Sequence, residues 1–246
     1  MSTLLVTPFD GTSRVPGASF GASRLAEALR TVSAVSQTWT TRVVREKTKS
    51  SALYCRRLLA LTEELPCKLM LGGEHLVTFP IIEALARTTP GLRLVVLDAH
   101  HDAYDYPLLT HYSLFHYTCH ELHVPTLVVG ARHELSSASG CEVVSADDVR
   151  AAGVPGTVDR IRTFVGPHPV YFSVDVDVLD PGVFPGVSDP VPGGLTIEEV
   201  TDLARGVLAL SPVAADIVEY NPFLDPRGEG LRSLSPFLKE FAAWLG

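Results

Sequence analysis

The 246-residue chain is short of several things, and each shortage excludes something. Its four cysteines, Cys55, Cys67, Cys119 and Cys141, include no CxxC pair, so an all-thiolate structural zinc site is excluded and free thiols are expected rather than two disulfides. No stretch reaches the roughly 18 consecutive apolar residues of a membrane span. The opening MSTLLVTPFD lacks the basic start of a secretory leader. A cytoplasmic protein with no membrane partner is the expectation. Basic residues are the minority, with 20 Lys and Arg against 28 Asp and Glu, and the formal charge of -8 argues against nucleic acid as a partner. Low-complexity linkers and internal repeats are missing too, so residues 1–246 read as one domain.

What the chain does have is 46% hydrophobic residues, enough for a thick core. Short apolar runs alternate with amphipathic stretches from end to end. Strands are expected at 3–8, 40–46, 68–73, 92–102, 125–130, 141–146, 169–177 and 213–221. Helices fit 21–32, 50–65, 78–89, 147–153, 196–210 and 235–245. Continuous apolar strands separated by helical periods predict an α/β fold with a parallel sheet covered on both faces.

Four of the expected strand ends carry unusual polar residues: GGEH, LDAHHD, SVDVDVLD and DIVEYN. In an open parallel sheet, ligands bind beyond the carboxyl ends of the strands, so distant motifs meet there when their strands are neighbours. Asp98, His100 and Asp102 follow a run of Val and Leu, and Asp175 and Asp177 repeat the two-residue spacing that gives side chains one direction on an extended chain. Same-facing buried carboxylates repel and are costly to desolvate; divalent cations offset both penalties. Carboxylates mixed with imidazole suit Mn²⁺, Zn²⁺, Ni²⁺ or Fe²⁺. A pair of such ions suits hydrolysis of an unactivated carbon–nitrogen bond, and equally of a phosphate ester.

Taken as a set and in order, GGEH, DAHHD, SVDVDVLDP, PGVSDPVPGG and EYNP resemble the ureohydrolase superfamily of arginases, agmatinases, guanidinobutyrases and formiminoglutamases. The resemblance covers residues 68–225. It implies a three-layer α/β/α sandwich with a central parallel sheet, two Mn²⁺ per subunit, and a homo-oligomer, trimer or hexamer. By resemblance, His75 and Asp102 ligate the first ion, His100 and Asp177 the second, and Asp98 and Asp175 bridge both. Asp102 would also accept a hydrogen bond from the metal-activated water, and Glu219 would pair with the cationic C–N group of the substrate. Glu74 stands where the family usually has aspartate, and is expected to orient an imidazole or to cap the following helix.

The family also implies a proton-shuttling histidine in the loop after DAHHD, which here offers His111, His116, His120 and His123. FHYT resembles the family's histidine–small–threonine segment, so His116 is the first expectation and His111 the second. His101, between the ligands, is expected to pack rather than react. Asn221 and Pro222 are expected only to end a strand, and Asp180 and Pro181 only to form a turn. Tyr104 replaces the asparagine of arginases, and Asp189 replaces a threonine; a carboxylate there favours a cationic substrate end. The resulting expectation is an agmatinase-like binuclear amidinohydrolase acting on a small cationic guanidine or amidine. Formiminoglutamase-like, arginase-like and catalytically silent metal-binding members are the alternatives.

Overall fold

The computed structural model describes residues 2–33, 39–44, 48–65, 67–133 and 140–246. Strand β1 (Ser2–Thr7) leads to helix α1 (Ala18–Val32), then to β2 (Trp39–Val43) and α2 (Ser51–Glu64). A short β3 (Leu69–Gly72) runs through a 3₁₀ turn (His75–Val77) into α3 (Thr78–Thr88). Next come β4 (Arg93–Leu97), α4 (Leu114–His120), β5 (Thr126–Ala131), β6 (Glu142–Ser145) and α5 (Ala146–Val165). Strand β7 (Val170–Asp175), a second 3₁₀ turn (Val176–Val178), α6 (Ile197–Leu208), β8 (Ala214–Val218), α7 (Glu229–Ser233) and α8 (Ser235–Leu245) complete the described chain.

The strands form one eight-stranded sheet in the order β2-β1-β3-β8-β7-β4-β5-β6. All pairings are parallel. Successive side chains on a strand point to opposite faces, and here both faces are apolar. On β1, Leu4 and Val6 enter one core while Leu5 enters the other; on β4, Val95 and Leu97 part from Leu94 and Val96 in the same way. Helices α1, α5, α6 and α8 cover the first face through Leu25, Ile161, Leu203 and Phe237. Helices α2, α3 and α4 cover the second through Tyr54, Ile82 and Phe115. The expected three-layer α/β/α sandwich is the observed one. Each fully buried Leu, Val or Phe contributes about 1.5–3 kcal/mol over exposure, which makes the sheet a rigid platform for its end loops.

Several boundaries differ from the sequence reading. β4 stops at Leu97 and β7 at Asp175, short of the expected ends at 102 and 177. Helix α5 extends from Ala146 to Val165, well past 153, although Gly153 (φ 67) interrupts it and Pro155 sits inside it. The Gly–Val–Pro–Gly run reads as a stop, yet Pro is tolerated where it opens a new helical segment. The last part of the strand expected at 40–46 lies outside the described residues. Among the described residues no disulfide is formed, and the Sγ atoms of Cys119 and Cys141 are 3.4 Å apart.

The four middle strands are β3, β8, β7 and β4, and theirs are the carboxyl ends that bear the four motifs. The chain builds one side of the sheet, jumps from β3 to β4, and later returns to fill the gap with β7 and β8. A change of direction of this kind opens a crevice at the strand ends. Gly73 lets the loop after β1 close over it, since a Cβ there would sit 2.0 Å from the carbonyl oxygen of Phe9.

Candidate metal centre

The floor of the crevice is a cluster of imidazole and carboxylate. Nδ1 of His75, from the 3₁₀ turn after β3, lies 3.1 Å from Asp98 Oδ2, 3.3 Å from Asp175 Oδ2 and 3.5 Å from Asp102 Oδ2. Nδ1 of His100 lies 2.8 Å from Asp177 Oδ2 and 3.6 Å from Asp98 Oδ1. Two sets of donor atoms therefore converge, His75 with Asp98 and Asp175, and His100 with Asp98 and Asp177, and Asp98 belongs to both. All six residues expected as ligands come together here.

Spacing alone does not explain how the pairs reach one point. Asp175 ends its strand, but Asp177 lies on the following 3₁₀ turn, and Asp98 and His100 lie past the end of β4. The first carboxylate of each pair accepts the backbone N–H two residues on: Asp98 Oδ1 from His100 at 2.6 Å, and Asp175 Oδ1 from Asp177 at 2.8 Å. Such Asx turns fold the chain so that both side chains of a pair face the crevice. Asp102 and Glu219 adopt left-handed backbone, φ 42 and 69, which is costly for residues other than glycine and gathers at working sites.

The donor set fits divalent metal on its own chemistry. His75 Nδ1 and Asp98 Oδ2 are buried side-chain atoms without a hydrogen-bond partner, at the point where the first set converges. Burial, followed by the neighbouring Asp98, pushes the Asp102 carboxyl up to about 7. Burial with Asp177 and Asp98 raises that of Asp175. His75 is raised well above its ordinary value, because three carboxylates outweigh a burial that opposes its charge. Without cations this concentration of buried charge is expensive; divalent ions invert that balance.

Supports that the sequence reading passed over hold the cluster in place. Ser173 Oγ donates to Asp216 Oδ1 at 2.6 Å, and Asp216 Oδ2 also accepts from Tyr171 and Thr78 at 2.7 and 2.8 Å. With its one hydrogen committed, Ser173 accepts from His75 Nε2 at 2.9 Å, so Nδ1 is the nitrogen that faces the carboxylates and becomes a lone pair when the ring is neutral. Arg132 clamps the other side by donating to the carbonyls of Asp177, Val178 and Val191. A lone Asp inside the apolar run AADIV was the visible clue to Asp216.

Above the floor is a cavity of about 220 Å³ whose walls include His111, Tyr112, Val187, Ser188, Glu219, Ser13 and Arg14, with Asp189 at its rim. Glu219 Oε1 accepts the backbone N–H of His75 at 2.7 Å. Asp189 is exposed, 3.8 Å from His100 Nε2. Of the two leading shuttle candidates, the structure brings His111 to the cavity wall and leaves His116 off it. His116 is on α4, where its ring packs on His120 with centroids 4.4 Å apart, and its Nε2 is 3.7 Å from exposed Asp105. His101 is buried and accepts from the Ala103 N–H, as a packing histidine does.

Glu74 does not cap the following helix with its side chain; it binds the loop after β1 through Thr12 and Ser13. Asn221 does more than end a strand, since its amide donates to Ser188 Oγ at 3.0 Å and to the Pro16 carbonyl at 3.4 Å, tying two rim loops together. Asp180 is the turn former expected, accepting from Gly182, Gly193 and Gly194. Among the described residues no helix is long and apolar enough to cross a membrane.

Comparison with known proteins follows the same lines. A family model described as the arginase family matches residues 2–240. Agmatinase of Enterobacter sp. (strain 638) is 33% identical over 185 residues, which are 74% of this chain and 60% of that protein. Proclavaminate amidinohydrolase of Streptomyces clavuligerus is 38% identical over 174 residues, 65% of this chain and 56% of that protein. The matched region thus spans 60% or less of the length of these curated relatives. The solved structure of the Streptomyces protein superimposes with a TM-score of 0.83 at 30% identity, covering 98% of this chain and 91% of that one. A hypothetical agmatinase from Burkholderia thailandensis shares the fold, with a TM-score of 0.89 at 24% identity over 99% of this chain and 85% of that one.

Proposed function

Because this chain belongs to the arginase family, we propose that it is a manganese-dependent hydrolase of a small linear guanidine or amidine, agmatinase-like in its choice of substrate. One observation carries the reading: two donor sets sharing Asp98 lie under a cavity whose wall bears Glu219.

In this reading His75, Asp98, His100, Asp102, Asp175 and Asp177 would hold two ions, with His75 and Asp102 on one side of the cluster and His100 and Asp177 on the other. The bound ions supply positive charge that acidifies water and stabilises charge developing at the reacting carbon. Glu219 accepts N–H donors from the planar cationic group, in the charge-assisted arrangement that carboxylates make with guanidinium. Asp102, at the cavity floor, accepts a hydrogen bond from the attacking water. His111 moves a proton at the cavity wall. Burial is the main cause that pushes its ring down, so it is neutral near pH 7 and able to accept.

Asp189 at the rim pairs with a terminal ammonium, which favours an agmatine-like diamine derivative. A second reading rests on Arg14, which lines the same cavity and favours a guanidine ending in a carboxylate. The subunits are proposed to assemble as a trimer or hexamer, which sedimentation would measure.

The deciding assay incubates manganese-loaded protein with agmatine, arginine, guanidinobutyrate and formiminoglutamate, measuring urea, formamide and ammonia separately. Urea released fastest from agmatine is the expected result. Faster turnover of guanidinobutyrate transfers the assignment to the Arg14 reading, and formamide release to a formiminoglutamase. Two bound ions with no turnover of any guanidine or amidine would sink the proposal.

A further inference from the structure

Glu74 is fully buried next to a proposed ligand, yet its carboxylate is spent on the loop after β1. Its Oε2 accepts the backbone N–H of Thr12 at 2.8 Å and of Ser13 at 2.9 Å, and its Oε1 accepts the Thr12 hydroxyl at 2.6 Å. The same hydroxyl oxygen lies 2.8 Å from Nδ1 of His111. Three residues far apart in sequence therefore form one chain of hydrogen bonds ending on the cavity wall.

Counting protons gives that chain a direction. An ionised carboxylate only accepts, so the single hydroxyl hydrogen of Thr12 goes to Glu74. The Thr12 oxygen then has only lone pairs to offer His111, and Nδ1 must carry the hydrogen of that bond. The Tyr112 ring packs against that of His111 at a tilt of 46°, with centroids 3.8 Å apart. A tilted contact of that kind restrains the ring but does not choose between its two nitrogens.

We propose that Glu74 is a positioning residue which, acting through Thr12, holds His111 as the Nδ1–H tautomer and leaves Nε2 as a bare lone pair for the cavity. The proposal rests on the reading of the cavity as a hydrolytic site, where His111 must take up a proton before giving it away. The opposite tautomer would present an N–H to the cavity and have nothing to accept with. Glu74 and Thr12 touch neither substrate nor reacting atoms in this account; they act only through His111.

The test uses the full chain labelled with ¹⁵N, studied without metal and with Zn²⁺ as a diamagnetic stand-in for manganese. Measurement at pH 8.5 keeps the His111 ring neutral, so that its tautomer is defined. Ring nitrogen shifts of His111 are expected to report a protonated Nδ1 in the wild type and in Thr12→Ser, which keeps the hydroxyl. In Thr12→Val and Glu74→Gln the proton is expected to move to Nε2 in most molecules. On whichever guanidine the wild type hydrolyses, kcat is expected to fall about tenfold or more in those two variants while KM stays within about threefold, and Thr12→Ser should remain near wild type. Thr12→Val leaves the carboxylate bonded to both backbone N–H groups, so it reads the relay even if Glu74→Gln does not fold.

An Nε2–H ring in the wild type would overturn the proposal. So would a Thr12→Val protein that keeps either the Nδ1–H tautomer or its full kcat. A wild type that hydrolyses no guanidine at all refutes the functional reading instead, and the nitrogen shifts still decide the tautomer.

Discussion

The floor of the cavity and its rim are built differently. On the floor, His75 and Asp98 are fully inaccessible, Asp175 nearly so, and the cluster is braced by buried hydrogen bonds running back to Ser173 and Asp216. At the rim, Arg14 is exposed and Asp189 has two-thirds of its side chain in solvent, with 3.8 Å as its approach to His100. The floor stands on strand ends, and the rim is hung from loops tied to one another by Asn221 and Ser188. Chemistry that needs fixed distances thus sits on the rigid part, and choice among substrates is left to groups free to adjust. Single changes to the floor should be close to all-or-none, and changes at the rim should be graded.

The sharpest test of that contrast is Asp175→Asn, which keeps the shape but removes a shared negative charge. Metal analysis and turnover should collapse together, with loss of two-ion occupancy and of activity. Retention of both ions would refute the bridging role proposed for Asp175. Next comes the wall between the two regions. His111→Ala should lower kcat about 100-fold or more, whereas His116→Ala should stay within about threefold, because only the former lines the cavity. Equal losses in both variants would show that loop integrity, rather than position, sets the rate.

Supports beneath the floor should matter less than the ligands but more than the rim. Asp216→Asn disturbs the acceptor that fixes Ser173 and hence His75, and metal affinity measured by competition with a chelator should fall about 10–100-fold. At the rim, Asp189→Ser and Arg14→Ala should each change KM by about three- to tenfold with kcat nearly unchanged, as suits exposed charges worth about 1 kcal/mol or less. A large kcat effect there would break the distinction.

The smallest expected change is thermal. Burial and Asp98 push the Asp102 carboxyl up to about 7, and that of Asp175 is raised as well, so between pH 5 and 8 the metal-free fold holds protons that the unfolded chain has released. His75 and His100, kept charged by their carboxylates, act with the same sign. Stability of the metal-free protein should therefore decline as pH rises from 5 to 8, lowering Tm by about a few degrees. Manganese should reverse the slope, because binding requires the deprotonated carboxylates and neutral imidazoles that higher pH supplies.

The same contrast explains what was legible in the sequence. Strands with both faces buried betray themselves as unbroken apolar runs, and acids or histidines at the ends of such runs are anomalies that need a reason. That logic found His75, Asp98, Asp175 and Glu219. It could not tell that Asp177 sits on a turn, since an Asx turn and an extended strand both bring residues two apart to one side. Nor could it separate His111 from His116. That choice is made by α4, which buries Leu114, Phe115 and Thr118 and so commits His116 to a different side of the helix. Thr12 gave no signal, because its partners lie 62 and 99 residues away. Helix α5 was cut short for the opposite reason, a local stop signal that the fold accommodates as a kink.

The position of β8 between β3 and β7 has a consequence for how the protein comes to exist. Strand β8 begins at Ala214, so a chain emerging from the ribosome has already released β3, β4 and β7 before the strand that joins the two halves of the sheet is available. Until then the residues after β3 and those after β4 and β7 belong to separate, unzipped fragments. Completion of the cluster therefore waits for β8, and a polypeptide halted short of residue 214 would carry all six proposed ligands with His75 cut off from the five that β4 and β7 bring together.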